Sequence, residues 1–185
     1  MSVDLAATLP QPVALADVIH RANDVLTDLL GGTAAPEIVA AAADADRVLD
    51  PGTDPPMITL CMPATGDCAH LFVMDHEFAD GPYVLFSPAR TCVGVTMTVA
   101  LALATAMLSG GRYSDEEIGM LPASEVLPAY VVARTALAEP EIEFVGACER
   151  YVRQFPALQR WPEQRAMNEA SEDPGGSGCQ PSQAK

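Results

Sequence analysis

The sequence predicts an α+β domain, a small antiparallel three-stranded sheet covered by helices, with a buried uncharged central helix and a disordered C-terminal tail. Three observations lead there. From Thr91 to Gly111, between Arg90 and Arg112, no residue is charged, and an apolar helix of that length is either enclosed on all sides or crosses a bilayer. Three short apolar runs between Met57 and Ser87 are joined by short polar turns, and parallel neighbours would need crossovers of a dozen or more residues. Finally, Leu15, Val18, Ile19, Ala22, Val25, Leu26, Leu29 and Leu30 recur at three- and four-residue spacing, the signature of an amphipathic helix.

The chain divides into a helical part (13–49), a strand part (57–87) and a second helical part (91–160). After a lead marked by Pro10 and Pro12, the first helix ends at Gly31-Gly32, which can take up the left-handed backbone that closes a helix. Pro36 suits the first turn of a second helix running through the alanines to Val48 and Leu49, with Glu37, Asp44 and Asp46 outward. The linker Asp50–Pro56 is rich in turn formers. Met57–Met62, Cys68–Met74 and Tyr83–Ser87 read as strands, separated at Thr65-Gly66-Asp67 and at Asp80-Gly81-Pro82.

Thr91 is placed to cap the central helix, and Gly110-Gly111 followed by Arg112 marks its end. A membrane span is the competing reading. Against it stand Thr96, Thr98 and Thr105, four interspersed alanines, the lack of a second span to pack on, and the absence of flanking basic clusters and of aromatic residues at both ends. Beyond it, Ser114 and Glu117 form a capping-box pattern for a short helix ended by Pro122. Another helix is expected over Ser124–Leu137, and a last one from Glu139-Pro140-Glu141 carries Ile142, Val145, Cys148, Val152 and Phe155 on one side. Residues 1–164 are therefore expected to form one domain. Residues 165–185 have no large apolar side chain after Met167, so nothing there offsets the entropy of ordering.

Charge narrows the function classes. Ten Lys and Arg stand against 25 Asp and Glu, a formal net charge of −15. Such a chain lacks the basic surface that nucleic acid or an anionic membrane requires. All but one of its cations are Arg, and Ala is abundant, as in proteins of GC-rich bacterial genomes. Met1–Pro10 has neither the basic nor the apolar segment of a signal peptide, so a cytoplasmic location is expected. Cys61, Cys68, Cys92, Cys148 and Cys179 are odd in number and irregularly spaced, which predicts no disulfide framework.

Chemistry-bearing motifs are few. Cys61, Cys68, His70, Asp75, His76 and Glu77 gather in the strand region, and Cys61 can face Cys68 or His70 across two strands. Their spacing matches no zinc motif, so no metal is assigned. Cys92 begins the central helix, where a thiol pKa is lowered, but no motif supplies a base or an oxyanion hole. No glycine-rich loop precedes a helix, so no phosphate-bearing cofactor is expected.

A meander followed by a helix ending in Gly-Gly and an acidic turn resembles, in general organisation, small acidic bacterial immunity proteins and secretion chaperones. That resemblance implies a non-catalytic module engaging a basic protein. The expected contacts are acids on turns at the sheet and helix ends: Asp75, Glu77, Asp80, Asp115, Glu116 and Glu117. The alternative is a small-ligand protein or enzyme with a pocket between sheet and helix lined by Cys61, His70, Cys92 and Tyr130.

Overall fold

The computed structural model describes residues 5–50, 57–78, 81–122 and 142–159, with backbone alone at 75–78. Its sheet is far larger than three strands. Seven strands run in the order β3-β5-β6-β7-β1-β8-β9, every neighbouring pair antiparallel: β1 (Leu5–Thr8), β3 (Val39–Ala40), β5 (Ile58–Met62), β6 (Asp67–Phe78), β7 (Gly81–Pro88), β8 (Arg112–Asp115) and β9 (Gly119–Pro122). β2 (Val13–Ala14) and β4 (Val48–Leu49) form a separate two-stranded ribbon.

Three departures from the expected small sheet explain the difference. The N-terminal lead is β1, inserted between β7 and β8 with Leu5 opposite Phe86 and Ala7 opposite Tyr113. Its alanines are weak strand formers, yet small side chains let the central helix lie close above. The expected second helix over 36–49 is instead β3, a 3-10 turn at Ala42–Asp44, and β4. That stretch has helix-favouring alanines but no apolar stripe, since only Ile38 and Leu49 are buried within it, so packing cannot hold a helix there. The expected helix after Ser114 is the β8–β9 hairpin, whose turn uses Gly119 at φ 71°. The region expected as a helix over Ser124–Leu137 and the tail 165–185 lie outside the described residues.

The central helix, α2 (Cys92–Ser109), is buried along nearly its whole length: its apolar window is long enough to cross a bilayer, and 83 % of that window is enclosed. The sheet lies beneath it, α1 (Leu15–Leu29) beside it, and α3 (Phe144–Val152) also packs on it. Burying three threonines costs little because each hydroxyl donates one turn back: Thr96 to Cys92 O, Thr98 to Gly94 O, and Thr105 to Leu101 O, at 2.7, 2.7 and 2.9 Å. Thr91 caps the helix, accepting from Gly94 N at 2.8 Å, while its own hydroxyl donates to the buried Asp67 carboxylate at the start of β6.

The far end is fastened to β1. Gly110 adopts the left-handed conformation at φ 68°, and a Cβ on Gly111 would collide with the Thr8 carbonyl. Ser109 Oγ donates to Thr8 O at 3.1 Å, and Thr8 Oγ1 accepts from Arg112 N at 2.7 Å. β1 thus ties the sheet to the end of the helix it supports.

Candidate functional site

Strand alternation sends β5 and β6 side chains to two faces. Ile58, Leu60, Met62, Ala69, Leu71 and Val73 point into the core, whereas Thr59, Cys61, Cys68 and His70 lie on the other, half-buried face. Cys61 and Cys68 are directly opposed, with Cα atoms 4.1 Å apart, and form a disulfide. The expectation of no disulfide framework is corrected to this one bridge: the four-residue turn after Met62 brings the two cysteines into register. His70 faces Thr59, its Nδ1 lying 3.0 Å from the Thr59 hydroxyl.

Cys92 belongs to a different place. It opens α2 on the helical side of the sheet, in a cavity of about 410 Å³ that Thr65, Asp67, Thr91, Val145 and Glu149 also line. Burial, with the charge of Glu149, raises its thiol pKa above the usual value despite an opposing effect from Arg153. Burial here works against the thiolate that a helix N-terminus favours. Cys148 on α3 is buried and pushed up to about 12 by desolvation. No histidine lines the cavity among the described residues, so no imidazole base is in place for the thiol. Cys61, His70 and Cys92 do not converge, and Tyr130 lies outside the described residues. Nor do the described residues bring together three His, Cys, Asp or Glu side chains suited to a metal.

The six acids expected to make contacts fall into different environments. Asp115 is 7 % exposed. It accepts from the Tyr113 hydroxyl at 2.6 Å and from Glu117 N and Ile118 N at 2.8 and 2.7 Å, so it organises the β8–β9 turn from within. Burial raises its pKa against the lowering effect of those three donors. Burial likewise drives the hydroxyl pKa of Tyr113 and Tyr151 upward, with the Asp115 charge adding to it. Glu117 accepts from Ala157 N at 3.0 Å, tying the hairpin to the segment after α3. Glu116 is exposed. Asp75 and Glu77 lie on the outer part of β6, where only backbone is described, and Asp80 falls outside the described residues.

A second group of acids is more exposed. Asp17, Asp24 and Asp28 run along the outer side of α1, and Glu37 and Asp46 stand on the neighbouring segment, all five exposed. That segment is held against the helix: Asn23 Oδ1 accepts from Ile38 N at 3.1 Å, Leu15 N donates to Arg47 O at 2.9 Å, and β4 pairs with β2 just before α1. Its cations are partly committed, Arg47 to Asp44 at 2.7 Å and Arg21 to Asp24 at 3.8 Å. Among the described residues no ion pair involves Asp17, Asp28, Glu37 or Asp46.

Between α1 and this segment runs a groove of about 380 Å³. Ala16, Ile19, His20 and Asn23, one stripe of α1, form one wall. The other wall is Glu37 to Ala40 with Ala45, where Val39 is 38 % exposed on the short edge strand β3. The sequence places Glu37 and Asp46 on the outer face of an expected second helix, apart from the first. Only the pairing of β3 with β5 and of β4 with β2 brings them together. A scan of protein-family models, a search of curated proteins and a search of solved structures each returned no match.

Proposed function

We propose that this chain is a non-catalytic bacterial protein-binding module that engages a basic protein, in the manner of an immunity protein or a secretion chaperone. The observation that carries the reading is the acidic side of α1, where Asp17, Asp24, Asp28, Glu37 and Asp46 are exposed and, among the described residues, the ion pairs are those of Arg21 with Asp24 and Arg47 with Asp44. Charge of one sign gathered on a surface attracts an oppositely charged partner at long range, and the gain is mainly in association rate. The formal charge of −15 adds to that field.

The test uses basic proteins encoded beside this gene, produced separately and mixed with the purified chain in a stopped-flow instrument. The association rate should fall roughly tenfold or more between low and physiological salt. Asp17→Asn combined with Glu37→Gln should reduce the low-salt rate several-fold without changing the melting temperature. A rate indifferent both to salt and to these two substitutions, or no association with any basic candidate at low salt, refutes the proposal.

A further inference from the structure

We infer that the groove between α1 and the 37–46 segment is an anchor site for a partner segment that is basic and carries one aliphatic side chain, flanked by Lys or Arg. The inference rests on the basic-partner reading and adds where and how that partner docks. An acidic face alone attracts any cation; this groove also has apolar side chains on both walls. Ala16, Ile19, Val39, Ala40 and Ala45 line it, and its volume of about 380 Å³ suits one inserted side chain with the backbone that carries it.

The rim supplies the second half of the match. Glu37 lines the groove itself, Asp17 and Asp24 neighbour the α1 stripe, and Asp46 follows Ala45. An aliphatic residue entering between Ile19 and Val39 would therefore bring its chain neighbours within reach of carboxylates on both walls. An apolar pocket surrounded by polar groups is the pattern of an interface anchor, where a buried side chain provides most of the affinity and the rim provides orientation. The site is also held in shape before binding. The Asn23 bond to Ile38 N and the β2–β4 ribbon fix the second wall against the helix, so little ordering is needed when the partner arrives. Pairing by strand addition to β3 is disfavoured, because Ile38 N, just before the strand, is already taken by Asn23.

Three fluorescein-labelled nonapeptides provide the probe: lysines and glycines around a central leucine, the same peptide with glycine at the centre, and a leucine peptide with every lysine replaced by glutamate. Binding to the full chain is read by anisotropy at low salt. The leucine-centred basic peptide should bind about tenfold more tightly than its glycine counterpart, and the acidic peptide should not bind. Ala16→Leu, at an exposed helical position on the groove wall, should erase the leucine advantage while leaving the weaker salt-dependent binding and the melting temperature unchanged. If both basic peptides bind equally, or if Ala16→Leu leaves the leucine advantage intact, the anchor inference is overturned while the basic-partner reading stands. If neither basic peptide binds at low salt, the anchor inference falls as well, and the stopped-flow result with the neighbouring basic proteins decides the broader reading.

Discussion

Replacing Thr91 with alanine should unfold the protein at a markedly lower denaturant concentration, because one hydroxyl does two jobs. Its oxygen accepts from Gly94 N at 2.8 Å, occupying one of the amides that the first turn of α2 leaves unpaired. Its proton goes to the carboxylate of Asp67, which is 8 % exposed. Loss of a helix cap costs about 1 kcal/mol, and a buried acceptor left without its donor costs roughly a further 1–3 kcal/mol. The sum of about 2–4 kcal/mol corresponds to a fall in melting temperature of roughly 5–15 °C for a chain of this size. Urea denaturation followed by circular dichroism measures it. Thr91→Ser keeps both bonds and should stay within about 0.5 kcal/mol of the parent. A double-mutant cycle with Asp67→Asn should show coupling of about 0.5 kcal/mol or more. An alanine variant as stable as the parent, or a serine variant as weak as alanine, would refute this account of how β6 and α2 are joined.

Other expectations follow from the same packing. Leu101 is fully buried in α2, so Leu101→Asp should cost at least about 4 kcal/mol and yield little folded protein; a variant that melts like the parent would overturn the buried position of the helix. The purified protein, denatured without reductant, should take up a maleimide probe at Cys92 and Cys148 but not at Cys61 and Cys68, which should label only after reduction, read by peptide mass spectrometry; labelling of Cys61 and Cys68 without reduction would remove their bridge. Asp115 has a raised pKa in the folded state, so the folded chain holds its proton more tightly than the unfolded chain does. Its contribution to stability is therefore lost as pH rises from the ordinary carboxylate pKa through the raised value. Relative to Asp115→Asn, the parent should lose stability across that window in denaturation curves taken from pH 4 to 7, and parallel curves would count against the shift.

Both long helices were legible from side-chain order alone. α1 shows its stripe: of the residues the spacing names, Leu15, Val18, Ala22, Val25, Leu26 and Leu29 are buried within the helix and Leu30 just after it, whereas Ile19 is half-buried and lines the groove. α2 shows its uncharged length, its Thr91 cap and its glycine stop. In the acidic turn after α2, adjacency in sequence misled. Tyr113 and Asp115 are two residues apart on a strand, so alternation turns both toward the core, whereas a run of Asp115, Glu116 and Glu117 reads as a solvated patch when taken as a helix start. The pairing of Cys61 with Cys68 was half legible, as two cysteines able to face each other across a hairpin, but register was needed to choose Cys68 over His70.

Hydrophobic periodicity and capping determine an element when it buries enough of its own side chains, and α1, α2 and β5 to β7 do so. β1, β3 and β4 are two to four residues long and rich in alanine or lacking a stripe, so nothing local holds them extended. They exist because distant strands offer hydrogen-bond partners, Leu5 to Phe86, Val39 to Cys61, Leu49 to Val13. Those partners are chosen by long-range contacts that no short window of sequence contains. The same contacts enlarged a three-stranded meander to seven strands and held the segment carrying Glu37 and Asp46 against α1, which is where the groove comes from.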